Sequence, residues 1–213
     1  LGQNGLRFTQ MYNSARCCPS RAALLTGINP HQAGIGHMTR DLGHPSYQGY
    51  LNDSCVTIAE VLRTAGYRTL MSGKWHVGGD YLYGERVATP GGPGNPTPRQ
   101  RGFDRYYGIL GGGGSYFNPT TLMRDDTPAR VETTDYYLTD AISDAAVEMI
   151  RESATGDVPF FLYLAYTAPH WPLHALEEDI ARYEGSYRGG WDRLRTGRHE
   201  ESMAMGLVDS KWR

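Results

Sequence analysis

The run Val158-Pro159-Phe160-Phe161-Leu162-Tyr163-Leu164-Ala165-Tyr166 sets the tightest limit on what this chain folds into. It is far too short to span a bilayer, which takes about 20 apolar residues in a helix. Its residues do not alternate with polar ones, so it reads as a strand buried on both faces. Such strands belong to parallel sheets with helices on each side. The stretch before it agrees. From Thr134 to about Ser153, Leu138, Ile142, Ala145 and Met149 recur at helical spacing, and Gly156 follows as a stop. Upstream, Thr57 with Glu60 three residues on is a capping box, with Val56 placed to staple onto Val61. Ile58, Val61, Leu62 and Ala65 continue that helix until Gly66. Tyr67 to Met71 is a compact strand, and Leu6-Arg7-Phe8-Thr9 alternates as a short strand does. Strands alternating with helices give an α/β fold with a mostly parallel central sheet flanked by helices. In such a sheet, functional groups gather beyond the carboxyl ends of the strands. Lys74 and His76 follow one of these strands, and His170 follows the other.

A chain of 213 residues, 39% hydrophobic, is ample for one core, and no internal boundary or repeat divides it: residues 1–213 read as part of one domain. A net charge of -2 carries no basic stripe of the kind nucleic acid demands. Three cysteines, two of them adjacent, make no disulfide framework. Leu1-Gly2-Gln3-Asn4-Gly5 reads as the middle of a domain, so the chain is expected to be a fragment, and its missing targeting signal says nothing of location. Thr89 to Gln100, dense in glycine and proline, is a surface loop, and the charged, aromatic part from Glu177 onward is expected to form helical turns.

The chemistry concentrates in Cys17-Cys18-Pro19-Ser20-Arg21, running into Ala22-Ala23-Leu24-Leu25-Thr26-Gly27. Proline suits the first position of a helix, Leu24 and Leu25 give it an apolar side, and Gly27 ends it. Cys17 then sits at the positive end of a short helix beside Arg21, where an anion is welcome. Read alone, the two thiols serve equally well as small buried hydrophobes. Lys74 and His76, two apart, can face one ligand, or simply form a solvated loop. His170, in Ala168-Pro169-His170-Trp171-Pro172-Leu173, reads alone as a structural histidine. Gly111 to Gly114 offers an anion cradle or a mobile loop. A thiol or metal module built on Cys17, Cys18 and Cys55 lacks any Cys-x-x-Cys spacing.

Taken together, these segments resemble the type I sulfatase family in its arylsulfatase-like branch. Cys17 to Gly27 is similar to the family's Cys-x-Pro-Ser-Arg…Leu-Thr-Gly signature, and Gly66 to His76 to its second signature. Ala168 to Leu173 is similar to a third family segment. Pro30-His31-Gln32-Ala33-Gly34-Ile35-Gly36-His37-Met38 and Gly102-Phe103-Asp104 add to the likeness, which covers essentially the whole chain in the family's order.

The resemblance implies an alkaline-phosphatase-like sandwich, here truncated at both ends, and hydrolysis of sulfate monoesters. Cys17 would be oxidised by a maturation enzyme to Cα-formylglycine, whose gem-diol supplies the nucleophile. Its second hydroxyl would lose a proton to expel sulfate, a step no serine can take. Arg21 would orient the diol, Lys74 would bridge it to a sulfate oxygen, and His76 would assist the proton removal. His170 would contact the sulfate or protonate the departing oxygen. The oxidised Cys17 would also ligate a divalent cation, usually calcium in this family. The family's upstream Asp-Asp pair, downstream Asp-Asn pair and downstream lysine are not in the chain; Asp125-Asp126 follows the second motif and reads as solvated. Truncation accounts for these absences, and the isolated fragment is expected to be inactive. Substrates would be sulfated small molecules or glycans, in a periplasmic or extracellular setting. The alternatives are a phosphonate monoester or phosphodiester hydrolase of the same superfamily, and a non-catalytic fragment.

Overall fold

A computed structural model describes residues 3–81 and 89–209. Among them no helix is long and apolar enough to cross a membrane. Two compact units are present: residues 13–174, and a smaller one made of 1–12 with 175–213.

The larger unit is built on a five-stranded sheet in the order β4-β3-β2-β1-β5. Its parallel heart consists of β1 (Arg68–Gly73), β2 (Arg105–Ile109) and β5 (Phe160–Ala165), with β1 pairing both neighbours. β3 (Leu122–Arg124) and β4 (Thr127–Pro128) extend it as an antiparallel hairpin. Side chains alternate across the sheet. Met71 and Tyr106 face a core that includes Cys18, Ala22 and Leu25 of α1 (Cys17–Thr26) and Ala59 of α2 (Ile58–Thr64). Leu70, Tyr107 and Ile109 face the other core, filled by Leu138, Ile142, Ala145 and Met149 of α3 (Leu138–Ser153). The apolar stripe read from the sequence is the buried face of α3.

Several local details differ from the sequence expectations. α1 starts at Cys17 with Arg16 as its N-cap, so Pro19 is its third residue. Its absent N–H costs nothing there, because none of the first four amides has an intrahelical partner. Leu25 is buried but Leu24 is exposed. α3 begins at Leu138, after a turn at Thr134 and Asp135, and Ala154 rather than Gly156 caps it. The capping box of α2 forms as read, with the Thr57 hydroxyl accepting from the Glu60 amide at 3.1 Å and the Glu60 carboxylate from the Thr57 amide at 2.6 Å. Yet Val56, Ile58 and Val61 are exposed, and Ala59 is the buried residue. β5 is not the doubly buried strand its composition suggests: it lies at the sheet edge, and Phe160 and Leu164 are exposed. Leu6 to Thr9 forms no strand, since no described segment pairs with it, and Leu6 and Phe8 are exposed.

The smaller unit holds α4 (Glu177–Arg182) and α5 (Gly190–Ala204), the helical turns expected there; neither has a buried residue.

Two features fix the strand ends that matter for chemistry. Gly73 and Gly108 have φ of 123° and 150°, and a Cβ on either would overlap a backbone carbonyl of the neighbouring strand. Glycine thus lets β5, β1 and β2 close together just before Lys74. The buried Arg101 donates to Glu60 at 3.0 Å and to the carbonyls of Leu51 at 3.0 Å and Cys55 at 2.6 Å. It ties the loop before α2 to the start of β2.

Candidate active site

Cys17 occupies the first turn of α1, where the helix's free amides favour a negative charge. The Cys18 thiol, buried in the core, and the ring of His76 both lie close to the Cys17 thiol. The ligand atoms of Cys17, Cys18 and His76 lie within 4.8 Å of one another. The adjoining Cys18 thiol is the largest influence on Cys17; with His76 and the nearby Lys74 it holds the Cys17 thiol well below the usual thiol range, against an opposing effect of burial. Cys18, lying against Cys17 and buried, is pushed far up. Cys55 is not part of the cluster; its thiol bonds to the Asn52 carbonyl at 3.2 Å.

Lys74 and His76 follow β1 directly. Their amides bond to the Ala165 carbonyl at 2.7 Å and the Leu110 carbonyl at 3.0 Å, which carries β1 on between its neighbours. Trp75, fully buried between them, sits edge-on to Phe103 and donates its indole N–H to the Pro96 carbonyl at 2.8 Å. This anchor sets both flanking side chains. His76 has φ of 55°, a left-handed turn uncommon for a residue with a side chain. Both groups are buried, Lys74 at 2% and His76 at 7% exposure. Burial is the main cause that lowers each pKa; Cys17 pulls in the other direction for both. His76 Nδ1 is buried without a hydrogen-bond partner.

Arg21 stands one helical turn after Cys17. It donates to the Lys74 carbonyl at 2.6 Å and to the Tyr163 hydroxyl at 3.3 Å. It therefore joins α1 to the ends of β1 and β5, a clamp the motif spacing does not reveal.

His170 lies in the exposed loop after β5. Its Nδ1 lies 2.6 Å from the Trp171 carbonyl, which can only accept, so Nδ1 carries the proton and Nε2 is the nitrogen left for a substrate. The buried Tyr116 donates its hydroxyl to the His170 carbonyl at 3.0 Å. His76 and His170 line one cleft of about 610 Å³ with Met38, Thr39, Arg40, Asp80, Gly112 to Gly114 and Trp171. Cys17, Arg21 and Lys74 do not line this cleft; His76 is the residue common to the cleft and to the Cys17 cluster. The glycine run is a wall of this cleft. A Cβ on Gly112 would overlap the His76 ring, and one on Gly113 would come 2.8 Å from His170 Nδ1. Arg40 and Asp80 carry no motif that marks them in the sequence, and Trp171, though inside the Ala168 to Leu173 segment, has no role assigned there.

Asp104 and Asp125 are excluded from this cluster. Asp104 accepts from the Thr69 amide at 2.9 Å and Asp125 from the Tyr106 amide at 2.9 Å, both near the amino ends of β1 and β2. Five residues of strand, about 16 Å, separate Thr69 from Lys74. Asp126 pairs with Arg99 at 2.7 Å. Among the described residues, the donors beside Cys17 are thus sulfur and nitrogen accompanied by two cations. Calcium takes six to eight oxygens, so these residues do not fit it.

The buried His76 makes stability acid-sensitive. Its folded pKa is depressed, so the unfolded chain binds the proton first and stability is lost as pH falls below about 6.5, the unperturbed histidine value. The expected result is a thermal midpoint that declines less steeply from pH 6.5 to 5 in His76→Gln than in the wild type. Identical slopes would show that His76 is not held neutral by burial.

A family model described as Sulfatase matches residues 1–210. The chain is 33% identical over 222 residues to the arylsulfatase of Klebsiella aerogenes, covering 98% of this chain and 45% of that protein. It is 32% identical over 231 residues to the "Uncharacterized sulfatase PB10D8.02c" of Schizosaccharomyces pombe, covering 98% and 39%. The chain therefore spans about two fifths of the length of these relatives. Among solved structures, Ps i-CgsB in complex with k-i-k-neocarrahexaose is similar at 34% identity and a TM-score of 0.61, over 78% of this chain and 38% of that one. BT4656 in complex with D-glucosamine-2-N,6-O-disulfate is similar at 26% identity and a TM-score of 0.56, over 80% and 28%.

Proposed function

The chain belongs to the sulfatase family, with its alkaline-phosphatase-like α/β fold, and we propose that it is the nucleophile-bearing part of an enzyme that hydrolyses sulfate monoesters of sugars. The observation that carries this reading is the setting of Cys17: at a helix start, close to buried His76 and under the charge of buried Lys74, with His76 Nδ1 buried and without a hydrogen-bond partner. An added oxygen at Cys17 fits such a cradle. Once oxidised by a maturation enzyme to formylglycine, the residue supplies a hydrated aldehyde as the attacking group, and Cys17 Sγ stands in for its oxygen.

The rest falls to this chain's side chains. Lys74, buried beside Cys17, offsets negative charge on a sulfate oxygen, and its low exposure strengthens that attraction. His76 is held neutral by burial and takes a proton from the attacking hydroxyl. Arg21 holds the Lys74 backbone and α1 in register, and adds positive charge. His170, its Nδ1–H fixed on the Trp171 carbonyl, delivers a proton from Nε2 to the departing oxygen. For this transfer His170 starts with both ring nitrogens protonated and ends as the neutral ring that keeps Nδ1–H. Carrageenan and glucosamine sulfates, the ligand chemistry of the similar solved structures, support a sugar as the leaving group.

A substrate panel on the parent protein, co-expressed with a maturation enzyme, tests the reading. Sulfate monoesters should be turned over at least about 100-fold faster than phosphonate monoesters or phosphodiesters of the same alcohol, roughly 3 kcal/mol in the barrier. The reverse preference would assign the site to phosphorus chemistry.

A further inference from the structure

We propose that Trp171 and Arg40 form the subsite that holds the leaving sugar, with the indole as a platform for the pyranose ring and the guanidinium as a handle for a second anionic group. This rests on the sulfatase reading above and adds which residues hold the leaving sugar.

Trp171 is 75% exposed and lines the same cleft as His76 and His170. What sets Trp171 apart from the other exposed apolar side chains is its place in the lining of the cleft that also holds His76 and His170. The rest of the cleft is mixed: Met38 adds apolar surface, while Thr39, Asp80 and the bare backbone of Gly112 to Gly114 add polar groups to the same lining. A ligand that suits both has one apolar face and a polar, hydroxyl-bearing edge, which describes a pyranose ring. A plain aryl or alkyl group would leave the polar wall unmatched. The cleft's 610 Å³ is also far more than one sulfate group requires. Trp171 directly follows His170 and accepts its Nδ1–H, so a ring resting on the indole lies next to the nitrogen that meets the departing oxygen.

Arg40 supplies the second half. It is exposed, lines the cleft, and takes part in none of the ion pairs among the described residues. A guanidinium there matches the planar oxygens of a further sulfate or a carboxylate on the same saccharide.

The parent protein, matured at Cys17, is assayed on a sulfated oligosaccharide and on 4-nitrophenyl sulfate. Trp171→Ala keeps the backbone carbonyl that positions His170, so its effect reports the indole. The expected result is a fall of about tenfold or more in selectivity for the oligosaccharide over the small ester, carried by KM, with Trp171→Phe retaining most of it. Arg40→Gln should lower the preference for a doubly over a singly sulfated saccharide by about fivefold or more. Unchanged selectivity in Trp171→Ala, or a loss equal on both substrates, would overturn the platform. An unchanged preference in Arg40→Gln would overturn the anion handle. If the wild type hydrolyses neither ester, the sulfatase reading itself fails, which is a different outcome.

Discussion

Cys17→Ala should reduce sulfate ester turnover by the parent protein at least about 10⁴-fold, the scale of losing a covalent nucleophile. The expectation rests on placement. Cys17 is the half-buried thiol in the first turn of α1, it lies against Cys18 and His76, and it feels the charge of Lys74. Cys18 is fully buried in the core beneath it. Peptide mass spectrometry of the matured parent should therefore find the aldehyde at residue 17, not 18. Cys17→Ser separates the two halves of the reaction. A serine hydroxyl can attack sulfur but has no second hydroxyl with which to expel sulfate, so one equivalent of alcohol should be released and the enzyme left sulfated at residue 17. Sustained turnover in either variant, or oxidation mapped to Cys18, would remove Cys17 from the chemistry.

The 213-residue chain by itself should show no measurable turnover where the parent is active, even with Cys17 oxidised. Calcium needs an oxygen shell, and the described residues around Cys17 offer Cys18, His76, Lys74 and Arg21 instead. Two cations alone must then balance both the nucleophile and the sulfate, and charge developing in the transition state goes poorly compensated. The same chain leaves apolar surface open. Val158, Phe160, Leu164 and Tyr166 along β5 and Val56, Ile58 and Val61 around α2 are all exposed, and the outer edge of β5 pairs with no described strand. An edge of this kind associates readily. Calorimetric titration with calcium and the same ester assay on both proteins decide the matter. Parent-like turnover together with calcium binding by the isolated chain would mean that the oxygen ligands come from residues elsewhere in it.

The sequence by itself determined the elements whose physics is local. The capping box at Thr57 and Glu60, the buried stripe from Leu138 to Met149, and the glycine stop of α1 at Gly27 each depend on residues within a few positions of one another. Hydrophobic periodicity and caps report such neighbours directly. The positions of Lys74, His76 and His170 after strands were legible for the same reason. Other features depended on which strand lies beside which. The composition of β5 suits an interior strand, but its place at the sheet edge is set by pairing, which periodicity does not record. The clamp from Arg21 to the Lys74 carbonyl spans 53 residues, and the one to Tyr163 spans 142. Asp125 reads as solvated from the sequence, yet it and Asp104 accept backbone amides near the amino ends of the strands, away from Cys17. Gly112 and Gly113 read as a loop, and only the folded chain shows them as the space into which His76 and His170 fit. Local pattern determined the helices and strands and where the reactive residues leave them. The order of strands in the sheet decided which of those residues meet, because contacts between distant segments are made by packing and leave no period along the chain.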